Sequence, residues 1–189
     1  MKLMAHTLVF VFVDRGLAAT ADLCHYVQSS SQALIGIEDF VSSTLYMNDM
    51  GDALVLSHYR SIEASEKGLK TLGQTRIVLP IAESASNVKR VTCLDHHGED
   101  IEGLCQGQFL SFSERQQVLG QGTEMVEDLR YTFGQLEAIP GLLGWMIAEN
   151  ERDSDEVCGV ALWLDAPSYK ASLPQNPLHD VVLFEKVTC

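Results

Sequence analysis

Positive charge is scarce in this chain: 13 Lys and Arg stand against 26 Asp and Glu, for a formal net charge of −13 and a pI near 4.7. A surface of that sign cannot neutralise phosphates, which excludes nucleic acid as a partner. Long apolar runs are also missing, and nothing approaches the ~20 residues a membrane helix needs. Leu8 to Val13 is apolar, but it stops at Asp14-Arg15 without a small-residue cleavage site, so it does not read as a signal peptide. No membrane partner and a cytoplasmic location are expected. The five cysteines, Cys24, Cys93, Cys105, Cys158 and Cys189, are odd in number and show no C-x-x-C spacing. Neither a disulfide framework nor a zinc site is expected, and buried free thiols are the default. There is no G-x-S-x-G and no Cys with a His at suggestive spacing. Gly120-Gln-Gly122 lacks the third glycine and the Lys-Ser/Thr of a phosphate loop. No cofactor and no tightly bound metal are expected.

What is present is an echo. Ile139-Pro-Gly-Leu-Leu-Gly-Trp-Met-Ile-Ala148 leads through a polar turn, Glu149 to Glu156, into Val157-Cys-Gly-Val-Ala-Leu-Trp-Leu164. Ile35-Gly-Ile-Glu-Asp-Phe-Val41 leads in the same order through Asn48-Asp-Met-Gly-Asp52 into Ala53-Leu-Val-Leu-Ser-His-Tyr59. Ile35 and Ile139 lie 104 residues apart, and so do Tyr59 and Trp163. Common order at a common spacing indicates an internal repeat. An apolar content of 46% over 189 residues is enough for a sizeable core.

Residues 6–13 are β-branched and aromatic on both faces, which predicts a strand buried on both sides. Leu23, Tyr26, Val27 and Leu34 fall at helical spacing, with Thr20 as N-cap. Residues 40–47 and 53–59 form a hairpin. Residues 61–72 read as a short helix whose buried stripe is Ile62, Leu69 and Leu72, and residues 87–95 alternate as a fourth strand. The second half repeats this: a strand over 108–113, a helix over 121–137 with Met125, Val126, Leu129, Phe133 and Leu136 as its stripe, a hairpin, a short helix over 166–173 and a last strand over 179–187.

Each half is therefore β-α-β-β-α-β, the ferredoxin-like split arrangement. The predicted fold class is α+β, with two such repeats, 1–98 and 99–189, packed sheet to sheet as a dimeric α+β barrel-like body. No Gly/Ser linker separates them. The two repeats would form an intramolecular pseudo-dimer, with a further homodimer left open.

The chain at this point resembles the antibiotic biosynthesis monooxygenase family of the dimeric α+β barrel superfamily. The residues that carry the likeness are Ile139 to Trp145, Ala161-Leu-Trp-Leu-Asp-Ala-Pro-Ser-Tyr-Lys-Ala171 and, in the first half, Leu56-Ser-His-Tyr-Arg-Ser-Ile-Glu-Ala64. The resemblance implies a tandem pair doing within one chain what the family does by dimerising. It also implies oxidation of phenolic compounds by O₂ without metal or flavin, haem degradation, or ligand binding alone. The haem-degrading members use a Trp and a His on or just after the second helix. The matching positions here are Gly68, Val78, Ser172 and Val182, so that constellation is missing.

The candidate site residues are His58, Tyr59, Trp163 and His179. An indole or phenol at a strand end can wall a pocket for a planar aromatic, although such a ring also serves simply as packing. An imidazole can act as acid or base near neutral pH. His58 and Tyr59 are adjacent on a strand, so only one can face a given pocket. His96-His97 is read as a solvent-exposed pair in the loop joining the halves. Two functions stay open: a cofactor-independent, monooxygenase-like enzyme acting on an aromatic or phenolic small molecule, and a non-catalytic ligand-binding or stress-associated barrel protein.

Overall fold

A computed structural model describes residues 7–14, 20–75, 86–98, 103, 105–116, 122–173 and 181–189. It places them in two compact units, one running to Arg90 and including Lys186–Cys189, the other spanning Val91–Glu185. In chain order the elements are β1 (Thr7–Asp14), α1 (Thr20–Leu34), β2 (Phe40–Met47), β3 (Asp52–Tyr59), α2 (Ile62–Gln74) and β4 (Ser86–Gly98). There follow β5 (Phe109–Gln116), α3 (Gly122–Leu136), β6 (Leu142–Asn150), β7 (Asp153–Trp163), α4 (Ala166–Ser172) and β8 (Val182–Lys186). The fold class is α+β, and the order β-α-β-β-α-β runs twice.

In the first unit the strands stand in the order β1-β3-β2, all antiparallel. Alternation along β1 and β3 sends Val9, Val11, Ala53, Val55 and Tyr59 toward Leu23 and Val27 of α1 and Ala64 of α2. The other face carries Leu8, Phe10, Leu54 and Leu56, all at 0% exposure, so β1 is buried on both sides, as its sequence predicts. The α1 stripe is Leu23, Val27, Ser30 and Leu34; the Ser30 hydroxyl donates to the Val27 carbonyl at 3.1 Å.

The α2 stripe departs from expectation. Its buried residues are the small ones, Ala64, Ser65 and Gly68, while Ile62 is exposed. Tyr59 is the reason: its ring and hydroxyl occupy the space where a Gly68 side chain would stand. The large residue comes from the strand and the helix supplies the hollow.

The second unit orders its strands β8-β5-β7-β6-β4. Its helix-facing core joins Leu129 and Phe133 of α3 to Trp145, Ile147, Val157, Ala161 and Trp163 of the sheet and Tyr169 of α4. The same turn closes the long helix in each unit. Ile37 N–H reaches Leu34 O at 2.9 Å and Phe40 N–H reaches Ile37 O at 3.2 Å; Ile139 N–H reaches Leu136 O at 2.8 Å and Leu142 N–H reaches Ile139 O at 3.3 Å. Ile37, rather than Ile35, thus stands where Ile139 stands. A left-handed residue follows in both, Asp39 with φ 69° and Gly141 with φ 89°.

Two expectations are corrected. His96 and His97 lie on β4, not in a joining loop, because the strand continues through Gly98 in register with β6. Cys24 of α1 is disulfide-bonded to Cys189, with Cα atoms 5.1 Å apart, where no disulfide was expected. The partners are 165 residues apart, so local spacing holds no trace of the bond. It ties the C-terminal residues to the first unit, where Val187 also packs against the core and donates its N–H to Leu45 O at 2.9 Å.

A closure of 165 residues restricts the unfolded chain strongly, by as much as about 5 kcal/mol in the chain-entropy account. Reducing the bond should therefore lower Tm by roughly 10 °C. Cys24→Ser should show the same lowered Tm and lose all sensitivity to reductant; calorimetry of both proteins with and without dithiothreitol measures this.

Candidate functional site

The sequence-derived candidates separate. His58 and Tyr59, adjacent at the end of β3, point to opposite faces of the first unit's sheet, each 1% exposed. Tyr59 lies in the helix-facing core with its ring 5.4 Å from that of Phe40. Burial, together with the neighbouring Tyr26 phenol, pushes its pKa up to about 12. At neutral pH Tyr59 is a phenol that can donate a proton in a hydrogen bond but cannot act as a base. His179 lies outside the described residues.

Trp163, in the second unit, ends β7 and is 1% exposed. Its Nε1–H donates to Ser111 Oγ at 3.0 Å, and Tyr169 meets its ring edge-on at 6.0 Å. The junction after it is tightly built. Leu164 N–H bonds Gly141 O at 2.8 Å, and Asp165 caps α4 by accepting from Ser168 N–H at 2.8 Å. The hydrogen bonds from Ser168 hold the Asp165 carboxyl below the usual carboxylate range. Trp163 is thus a fixed wall of the helix-facing core.

The chemistry gathers instead along the seam between α3 and β4. The register of β4 against β6 shifts between Cys93 and Asp95. Past that irregularity Asp95 pairs with Ile147 and His97 with Trp145, so both take the helix-facing side. Arg130 of α3 reaches Asp95 with Nε to Oδ2 at 2.6 Å. Two turns along, Glu137 stands just past the helix end; its Oε1 accepts Trp145 Nε1–H at 3.2 Å and lies 3.5 Å from His97 Nδ1. Two rings stack with the indole, Phe133 at 5.3 Å and 6° and His97 at 6.0 Å and 18°. Trp145 is 4% exposed, whereas the His97 side chain is 55% exposed.

The arrangement is an imidazole set against a buried aromatic pair, backed by a carboxylate and open to solvent. It suits proton transfer to or from a planar molecule. No sequence spacing gives it: His97, Phe133, Glu137 and Trp145 come from three elements, and the bulge that turns His97 inward leaves no mark in the composition. The thiols offer no rival nucleophile there. Burial pushes Cys93 up to about 12, and Cys158 is buried as well. Among the described residues no group of three or more His, Cys, Asp or Glu side chains could hold a metal ion.

No protein-family profile and no curated protein matches this chain. Solved structures do. An anthrone oxidase-like protein superimposes with a TM-score of 0.71 at 14% identity, over 99% of this chain and 93% of that one. A monooxygenase-like protein from Listeria innocua gives 0.59 at 12% identity, over 96% and 94%. A ferredoxin-fold protein related to antibiotic biosynthesis monooxygenases, from Listeria monocytogenes 4b F2365, gives 0.54 at 10% identity, over 97% and 95%. The fold is that of the antibiotic biosynthesis monooxygenase-related proteins. At these identities the likeness carries the fold alone.

The Tyr59–Gly68 contact yields a test. Gly68→Ala should cost about 1–3 kcal/mol, since the new methyl meets the Tyr59 hydroxyl first. Tyr59→Phe should recover part of that loss, measured by denaturant unfolding of the two single variants and the double. The raised Tyr59 pKa sets the pH window. The folded state keeps a proton that the unfolded state releases near 10, so this contribution is fully present below pH 10 and is lost as pH rises toward 12. The loss is about 2–3 kcal/mol, and Tyr59→Phe should flatten that part of the alkaline limb.

Proposed function

We propose that this chain is a monooxygenase-like enzyme that oxidises a planar phenolic or related electron-rich aromatic molecule with O₂ and without a cofactor. The helix-facing side of the second unit is its reaction site. One observation carries the reading: His97 is a half-exposed imidazole stacked on a buried indole, with its Nδ1 facing the Glu137 carboxylate. Oxygenation without a metal or flavin requires the substrate to surrender an electron to O₂, which a neutral arene resists and its anion permits. A base beside an apolar aromatic wall is therefore the necessary protein contribution.

In this scheme His97 takes the proton from the phenol or from an activated ring C–H. The resulting anion passes one electron to O₂, and the radical pair combines as a C–O bond to a hydroperoxide. Loss of water then turns a ring CH₂ into C=O, so that one O₂ supplies one oxygen atom to product and one to water. Phe133 and Trp145 form the buried aromatic stack that backs His97, and the substrate meets the exposed imidazole in front of it. His58, on the other face of the first unit's sheet, and Tyr59, a neutral phenol, are less suited to be the base. The anthrone oxidase-like and monooxygenase-like structures that share the fold support this class of substrate.

The experiment is O₂ uptake with anthrone and with a set of hydroquinones. Wild type should consume O₂ with product formation, and His97→Ala should lose about 10² or more of kcat. Activity equal in His97→Ala would place the base elsewhere. Binding of the compounds without any uptake would favour the non-catalytic ligand-binding reading.

A further inference from the structure

The indole of Trp145 is not a surface on which a substrate can stack, because it is 4% exposed and Phe133 and His97 already stack with it. Of the three rings only His97 has a largely exposed side chain. The other feature is the sharing of a single carboxylate oxygen. Glu137 Oε1 accepts the buried Trp145 N–H at 3.2 Å and faces His97 Nδ1 at 3.5 Å. A neutral imidazole that turned a bare lone pair toward that oxygen would set two lone pairs against each other. The proton of the neutral ring therefore belongs on Nδ1, which leaves the Nε2 lone pair outward. An imidazole in water prefers the opposite tautomer, so this choice is imposed by the protein.

We propose that Glu137 and Trp145 are positioning residues which hold His97 in its Nδ1–H tautomer, and that Nε2 of His97 is the recognition element for a planar hydroxyarene, whose O–H donates to it in the plane of the imidazole. This rests on the reading of the second unit as the reaction site and names how its substrate is held. Trp145 is itself fixed by Phe133, so its N–H pins Oε1. The pinned oxygen sets the ring's proton, and the stack sets the ring's plane. A hydroxyarene that meets the exposed edge of His97 in the plane of the imidazole would place its O–H on the Nε2 lone pair.

The test uses the intact protein labelled with ¹⁵N at histidine, at alkaline pH where imidazole is neutral. Wild type should show His97 Nδ1 with the shift of a protonated ring nitrogen and Nε2 with that of a bare one. Glu137→Ala, at a half-exposed position that tolerates truncation, should return His97 toward the Nε2–H form. Trp145→Phe keeps a stacked ring but no N–H, and should give a mixture of the two. Adding 2-naphthol, a planar phenol chosen as the probe, should shift His97 Nε2 in wild type, and more weakly in Glu137→Ala. With an oxidisable substrate, Glu137→Ala should lower kcat roughly tenfold to a hundredfold with KM little changed, and Glu137→Asp should restore part of the loss. An Nε2–H tautomer in wild type, or a tautomer unmoved in Glu137→Ala, would overturn the positioning role. Naphthol shifts that spare His97 would overturn the recognition element. The predicted tautomer and naphthol response without O₂ uptake would retire the oxygenase reading and leave this one standing.

Discussion

The second unit depends on one backbone hydrogen bond, from Leu164 N–H to the carbonyl of Gly141. It fastens the end of β7 to the turn that closes α3, and everything in the site hangs from those two points. Gly141 makes the bond by adopting φ 89°, and a side chain there would strike Ser168 of α4. With the turn fixed, Glu137 lies over the first residues of β6 and can reach the Trp145 N–H eight positions later. Trp163, immediately before the bonded Leu164, is held with its N–H on Ser111. The first unit uses the same device, Arg60 N–H to Asp39 O at 2.8 Å, with an Asp accepting the left-handed conformation at some cost. There it places Tyr59 against Gly68 instead.

The seam between α3 and β4 shows how to weigh polar contacts. Arg130 and Asp95 make the shortest ion pair in the unit among the described residues, yet the Arg130 side chain is half exposed. In water such a pair is worth at most about 1 kcal/mol. The stack of Phe133 on Trp145 is nearly buried, and its area alone outweighs the ion pair several-fold. Hydrophobic burial therefore holds α3 on the sheet, while the ion pair and the Glu137 contacts select its register along β4. A shift of α3 by one turn would leave Trp145 N–H buried without an acceptor.

The fold was legible because its signals are local and repeated. The short apolar run Leu8–Val13 marks a doubly buried strand, the stripe at Leu129 and Phe133 marks α3, and the Ile-Pro-Gly and Ile-Gly-Ile turns close the long helix in each half. The site was harder to see for a physical reason. Strand alternation predicts a face only while the ladder is regular, and the shift between Cys93 and Asp95 breaks it just before the two histidines. The polar residues at 96–97 then read as loop, although β6 supplies the ladder that makes them strand. Gly68 misled in the opposite way: a helix stripe is read from large apolar residues, and here the large partner, Tyr59, belongs to the strand. The Cys24–Cys189 bond joins residues whose separation is set only by the finished first unit.

Buried rings such as Trp163 and Tyr59 are conspicuous in a sequence, and burial is what makes them poor candidates for proton transfer. Desolvation holds Tyr59 neutral until about pH 12, and Trp163 has spent its one donor on Ser111. A base must change charge repeatedly, so it needs one side in water and the other on a partner that stabilises the cation. In the second unit His97 has 55% of its side chain exposed and the Glu137 carboxylate 3.5 Å from its Nδ1. The Glu137 carboxylate behind it is held in place by the Trp145 N–H, and the imidazole stacks on the buried indole. Aromatic bulk thus contributes by fixing the geometry of a polar group at its edge rather than by touching protons itself.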